Sequence, residues 1–338
     1  MLGHIADIVA ESGRRVAAAR SFSVEEKGTR ENIVTSADVE NEAFLRSRLT
    51  SLVPGSSFVG EEGDESPILE EGYTWIVDPI DGTMNFSRGI PEVGVSVALF
   101  RDGEPYIGVV HNPFTGRMWT SEVGRGAWRD GVPVHVSDRP LDDCILSTAW
   151  CCYRKELAPG VFRVSESLYP RINDIRRIGT AAVELSMLAE GAVDLYFEIR
   201  LSPWDHAAAL TCVGAAGGVY RGIDGDVRFD RPSPVLAANT EGNMDALLDA
   251  VSEAFGGRTP YEWPRRPSGN YYRRPRRSAP HVPGNRLRKV RQRQVRTDVQ
   301  RDGRLRPRHA EGDQRAGPLV HRHAPHHGQG DGRGRRPG

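Results

Sequence analysis

Apolar positions open the chain at helical spacing. Ile5, Ile8, Val9, Val16 and Ala19 fall on one face of a 3.6-residue repeat, and Phe44, Leu45 and Leu49 do the same within residues 39–52, so two amphipathic helices are predicted. Between them, Asn32-Ile33-Val34-Thr35 reads as a short extended segment. The pattern then changes period. Trp75-Ile76-Val77 is an unbroken apolar run, the mark of a buried strand. Residues 92–100 and 104–111 flank the turn Arg101-Asp102-Gly103, and residues 117–136 are broken at Gly124 and Asp130-Gly131. These hairpins predict one antiparallel sheet in the first half of the chain.

From Cys144 strands and helices alternate. Ile145-Leu146-Ser147, residues 174–177, residues 193–198 and Val235-Leu236-Ala237-Ala238 have strand patterns. Residues 160–169, 181–190, 205–217 and 244–255 have helical ones, and the third is so rich in small residues that it should pack tightly on a sheet. No internal repeat is present. The expectation is an α/β protein of two layered halves, about 1–140 and about 141–257, with its chemistry at their junction.

The 338 residues carry 45 basic and 45 acidic side chains, but this neutrality joins two unlike segments. Residues 1–257 hold 23 Lys+Arg and 39 Asp+Glu, a net charge of −16, whereas residues 258–338 hold 22 and 6, a net +16. The later segment has no Ile, Met, Phe or Cys, so it cannot build a core and is expected to be disordered. Cys144, Cys151, Cys152 and Cys212 form no CxxC pair and lack a zinc-finger histidine spacing, so they are expected as buried thiols. The start, MLGHIADIVAESGRR, lacks a leader pattern, and no window of about eighteen residues is continuously apolar, so a cytoplasmic protein without membrane association is expected.

Candidate chemistry concentrates in WIVDPIDGTMNF, residues 75–86. Asp78 and Asp81 flank Pro79 at the end of the apolar run, where α/β sheets place ligands. With φ fixed at Pro79, both carboxylates and the Ile80 carbonyl can converge on a hard cation. Gly82 and Thr83 are helix-start residues whose N–H groups would face an anion, and the Thr83 hydroxyl can orient a water. The same DPxDG is also compatible with an ordinary Asp-Pro turn and helix cap.

The full twelve residues resemble the signature of the inositol monophosphatase family. That resemblance implies a layered αβαβα sugar-phosphatase-like fold over residues 1–257 and Mg²⁺-dependent, lithium-sensitive hydrolysis of a small phosphomonoester. Two or three Mg²⁺ ions would serve, water would attack directly, and no covalent intermediate would form. Glu61, in Val59-Gly60-Glu61-Glu62, matches a metal-binding glutamate of the family, with Glu62 behind it; taken alone, the segment is an acidic turn. Asp205, in Ser202-Pro203-Trp204-Asp205-His206-Ala207-Ala208, matches a further ligand and is otherwise a helix-start acid. His206 is left outside the ligand set. The implied metal ligands are thus Glu61, Asp78, Ile80, Asp81 and Asp205.

Catalysis is assigned by the same resemblance to Glu61 and Thr83, with Asp38 supporting Thr83 and Lys27 near the metals. Gly179-Thr180-Ala181-Ala182 and Glu198 match substrate-facing elements, giving Asp81, Gly82, Thr83, Ala181 and Glu198 as substrate residues and Arg176 nearby. Glu198 stands seven residues before Asp205, as the inositol-hydroxyl-binding glutamate does in relatives. Inositol 1-phosphate is the first substrate; histidinol phosphate, fructose 1,6-bisphosphate and a 3′-phosphoadenosine nucleotide are alternatives. A homodimer is expected by analogy.

The basic segment 258–338 has three readings. Its charge would attract nucleic acid non-specifically, making a nucleic-acid-binding protein the distant alternative, and its histidines in residues 321–327 would hold metal weakly. The favoured reading is a GC-rich gene read out of frame, because Arg, Pro, Gly, Ala and His dominate and the resemblance ends near Phe255.

Overall fold

The computed structural model describes residues 1–27, 31–63, 71–152 and 154–255; the basic segment 258–338 lies outside the described residues. In chain order the elements begin with α1 (Leu2–Ala18), β1 (Val24–Glu26), β2 (Ile33–Thr35), α2 (Ser36–Leu52), β3 (Ser57–Gly60), β4 (Tyr73–Asp81) and α3 (Thr83–Arg88). The strands β5 (Gly94–Arg101), β6 (Glu104–His111), β7 (Met118–Glu122), β8 (Gly126–Arg129) and β9 (Val132–Val134) follow. Then come β10 (Ile145–Thr148), α4 (Ala158–Leu168), β11 (Asp174–Arg176), α5 (Ala181–Ala189), β12 (Leu195–Leu201), α6 (Pro203–Ala215), β13 (Val219–Arg221), β14 (Ser233–Ala238) and α7 (Glu241–Phe255). Strands β3 to β9 pair in sequence order as a seven-stranded sheet, and a five-stranded sheet runs β11-β10-β12-β14-β13.

Alternation along the strands sorts the layers. On β4, Trp75 and Val77 pack with Ile5, Val9, Leu45 and Leu49 of α1 and α2, while Ile76 packs with α5 and α6. On β12, Leu195, Phe197 and Ile199 meet Val164, Leu168, Leu247 and Val251 of α4 and α7, while Tyr196 belongs to the α5–α6 side. Helices, sheet, helices, sheet and helices therefore stack in the αβαβα order expected. The helices of the middle layer, α5 and α6, are rich in small residues. A Cβ on Gly108 of β6 would strike the Ala208 carbonyl of α6, so glycine permits this approach.

The first sheet departs from expectation in two places. Strand β3 pairs in parallel with β4, so the sheet is not wholly antiparallel. Strand β4 does not end at Val77 but continues through Pro79 to Asp81, with its pairing to β5 shifting register between Asp78 and Asp81. A bulge is where a strand tolerates proline, because a ladder donor is already missing there. Cys144, Cys151 and Cys212 are buried as expected, but Cys152 is exposed in the loop after β10. Among the described residues, no helix is long and apolar enough to cross a membrane.

Candidate active site

The bulge in β4 sets the site. Asp78 Oδ1 accepts from the Ile80 N–H at 2.9 Å, an Asx-type bond that fixes the side chain over its own turn. The Pro79 carbonyl accepts from Asn41 Nδ2 at 2.8 Å, and Asn41 in turn accepts from Ser12 at 2.9 Å, so α2 and α1 prop the turn from behind. Gly82, at φ +90°, then starts α3, and a Cβ there would lie 3.2 Å from the carbonyls of Glu92 and Gly179. Thr83 follows at once. Its hydroxyl is 3.1 Å from both Asp38 Oδ1 and the Ile80 carbonyl.

Asp38 is tied to the start of α2. Thr35 gives its N–H at 2.8 Å and its hydroxyl to Asp38 Oδ2, closing a capping box and leaving Oδ1 for Thr83. At the end of β3, Lys27 Nζ donates to Glu61 at 3.1 Å and to Glu62 at 2.7 Å. The Glu62 N–H is held by Glu42 at 2.7 Å, and Gly60 leaves room for that carboxylate.

The third contribution arrives from α5 and α6. Asp205 accepts from the Ser202 N–H at 2.7 Å in the capping box that opens α6. Asp81 Oδ2 accepts from the Thr180 hydroxyl at 2.6 Å and the Ala182 N–H at 2.7 Å at the start of α5. Carboxylate oxygens of Asp78, Asp81 and Asp205 all lie within 4.8 Å of one another.

Electrostatics say what the cluster is suited to hold. Burial, then the charges of Glu61 and Asp81, push Asp78 well above the carboxylate range, and burial with Asp81 and Glu61 does the same to Asp205. Burial raises Asp81 to about 7, although the bonds from Thr180 and Ala182 favour its charged form. Glu62 is raised to about 7 and Asp38 to about 6, again chiefly by burial. Burial raises Glu61 too, while Lys27 opposes it. Buried oxygen donors this close repel one another unless positive charge is supplied, so the set fits a hard divalent cation.

The sequence model of the inositol monophosphatase family matches residues 4–255. The chain belongs to that family. Inositol-1-monophosphatase of Bacillus subtilis is 32% identical over 238 residues, covering 68% of this chain and 89% of the relative. The Nus factor SuhB of Escherichia coli K12 is also 32% identical over 234 residues, covering 68% and 87%. Among solved structures, extragenic suppressor protein SuhB from Bartonella henselae superposes with a TM-score of 0.69 at 30% identity, covering 74% of this chain and 98% of that one. The inositol monophosphatase of Thermotoga maritima gives 0.66 at 29% identity, covering 74% and 96%.

Against the residues that the family resemblance singles out, the structure brings Glu61, Asp78, Asp81 and Asp205 into one electrostatic cluster with Asp38, and Lys27 into contact with Glu61 and Glu62. Ala181 is buried at the first position of α5. Glu198 lies on β12 and accepts from the Tyr196 hydroxyl at 2.8 Å; burial raises it to about 8. Arg176 is not brought in. It is exposed, with its guanidinium on Asp174, whereas the charge of the next residue, Arg177, is felt at both Glu184 and Glu198. His206 is fully buried against Phe229 and has no hydrogen-bond partner among the described residues, and burial lowers it to about 3.

Sequence reasoning passed over the residues that hold this family's site in place here. Asn41, Asn85 and Glu184 are all buried polar side chains bonded to backbone far away in sequence or in the 177–180 loop. Their one sequence trace is a polar residue on an otherwise apolar helix face, clearest for Glu184 within AAVELSMLA.

Proposed function

We propose that this protein hydrolyses a small polyol phosphomonoester, inositol 1-phosphate before others, with Mg²⁺ as cofactor. The convergence of Asp78, Asp81 and Asp205 within 4.8 Å carries this reading. Glu61, Asp78, the Ile80 carbonyl, Asp81 and Asp205 would hold two or three ions, and oxygen-only donors favour Mg²⁺ over zinc. When bound, Mg²⁺ supplies charge neutralisation for the phosphate and its leaving oxygen and lowers the pKa of water.

The chain's own groups do the rest. Thr83 donates its proton to Asp38 or to the Ile80 carbonyl, so its lone pairs remain to accept from a water and aim it. Glu61 accepts that water's proton, and its neighbour Lys27 favours the ionised form that this needs against the effect of burial. The N–H groups of Gly82 and Thr83 receive phosphate oxygens. Glu198, with a pKa near 8 and Tyr196 donating to it, can exchange hydrogen bonds with a hydroxyl of the leaving group. A relative at 25% identity, SaIMPase-II, has solved structures bound to inositol monophosphate and to 2′AMP, which supports a hydroxyl-bearing ring beside the phosphate.

A phosphate-release panel tests the reading. Inositol 1-phosphate should exceed histidinol phosphate, fructose 1,6-bisphosphate and 3′-phosphoadenosine nucleotides, require Mg²⁺ and be inhibited by Li⁺. Asp81→Asn should lower kcat by about 10³-fold or more with circular dichroism unchanged. Undiminished Mg²⁺-dependent release by that variant would sink the assignment. The relatives named Nus factor SuhB support a second role beside hydrolysis, and retention of that role by Asp81→Asn would separate the two.

A further inference from the structure

We infer that Glu184 is a positioning residue for Asp81, acting through the loop 177–180; this inference rests on the metal-dependent phosphatase reading above. Glu184 is 1% exposed in a helix whose other side chains are apolar or small. A carboxylate buried there is costly unless its oxygens are used. One of them is used twice: Glu184 Oε1 accepts from the Gly179 N–H at 2.8 Å and from the Ile178 N–H.

The opposite edge of the same peptide is held from the other half of the molecule. Asn85 of α3 donates to the Ile178 carbonyl at 3.0 Å and to the Glu92 carbonyl at 2.8 Å. Gly179 sits between the two clamps at φ +100°, where a Cβ would press on the Arg177 guanidinium and the Asn85 amide. The loop is therefore fixed through its N–H groups by Glu184 and through a carbonyl by Asn85.

What the fixed loop delivers is Thr180 and Ala182. Both donate to one oxygen of Asp81, at 2.6 Å and 2.7 Å, leaving the other oxygen for a cation. Partners that orient a ligating carboxylate tune its affinity for metal. Among the described residues Glu184 makes no hydrogen bond to a ligand of the cluster; beyond the direct repulsion between its charge and that of Asp81, its hold on the Asp81 carboxylate passes through Thr180 and Ala182. A brace serving only α5 would instead lower stability and leave the folded enzyme's metal response alone.

The experiment uses the full-length protein, with Mg²⁺ binding followed by calorimetry and phosphate release by steady-state kinetics. Glu184→Ala should lower kcat about 10- to 100-fold and raise the Mg²⁺ concentration for half-activation about tenfold, with substrate KM within about threefold. Glu184→Gln keeps an acceptor oxygen and should recover activity to within about fivefold of the parent. In a Thr180→Val background the further loss from Glu184→Ala should be smaller than in the parent, because only the Ala182 arm of the path to Asp81 is then left to lose. Equal losses in both backgrounds, or a folded Glu184→Ala protein with a lower Tm but parental kcat and Mg²⁺ response, would overturn the inference. Should Glu184→Ala fail to fold, Asn85→Ala releases the same loop from its other edge and must show the same shrinkage in the Thr180→Val background. Absence of Mg²⁺-dependent release from the parent itself defeats the phosphatase reading instead, and calorimetry then judges positioning alone: an unaltered Mg²⁺ affinity in Glu184→Ala rejects it.

Discussion

Asp38 illustrates how one side chain joins fold to chemistry. One of its oxygens closes the cap of α2 on Thr35 and the other takes the Thr83 hydroxyl, so the helix start and the proposed water-orienting group share a carboxylate. Burial raises Asp38 to about 6, Asp81 and Glu62 to about 7 and Glu198 to about 8. An unfolded chain releases these protons near pH 4, so between about pH 4 and 8 the folded state binds more protons than the unfolded state. Stability of the metal-free protein should therefore fall as pH rises through that window. Melting in the presence of a chelator should show Tm decreasing from pH 5.5 to pH 8. Mg²⁺ replaces the protons that the carboxylates hold, so the Tm increase on adding Mg²⁺ should be larger at pH 8 than at pH 5.5. A Mg²⁺ shift that shrinks with rising pH would contradict this account.

Helix α6 carries Asp205 on its first turn and rests directly on the first sheet, so its distance from β6 sets the gap between Asp205 and the β4 aspartates. Gly108→Ala would drive a methyl group into the Ala208 carbonyl and crowd Thr211 and Ser121, each 3.0 Å from the new carbon. The backbone there cannot yield as a side-chain end would. Urea unfolding should show a loss of about 1–3 kcal/mol, and the Mg²⁺ needed for half-activation should rise. Gly3→Ala in α1 meets nothing within 4 Å and should be neutral or stabilising by up to about 1 kcal/mol.

The same packing explains what could be read in advance. Helix α1 was legible because its period is its burial pattern, whereas β5 and β6, buried at consecutive positions, were legible as apolar runs around the Arg101-Asp102-Gly103 turn. Strands β1 and β13, three residues each, offer too few positions for a repeat. The aspartates were legible because they lie in one short motif. Asn41 on the Pro79 carbonyl, Asn85 on the Ile178 carbonyl and Thr180 on Asp81 are pairings 38, 93 and 99 residues apart, which no local pattern encodes. Preferring Arg177 to Arg176 required knowing that β11 ends at Arg176, and element ends are set by tertiary packing.

At the scale of the whole molecule, the charge division coincides with the limit of the family match. Residues 1–257 carry a net −16, the family model ends at residue 255, and the +16 of residues 258–338 lies beyond it. Every group proposed for metal or substrate comes from residues 61–205, drawn from both sheets and from the starts of α3, α5 and α6. If the basic segment contributes nothing to that site, a chain ending at residue 257 should keep kcat and KM within about twofold of the full-length protein and melt within about 2 °C of it. It should also differ in one respect. A segment of +16 releases counterions when it meets a polyanion, so the full-length chain should bind DNA at low salt and lose that binding steeply as salt rises, without regard to sequence. The chain ending at residue 257, with a net −16, should not bind at any salt concentration. Filter binding across a salt series separates the outcomes: salt-insensitive DNA binding that survives the truncation would move recognition onto the folded domain, while loss of phosphatase activity on truncation would make residues 258–338 part of the enzyme and end the out-of-frame reading.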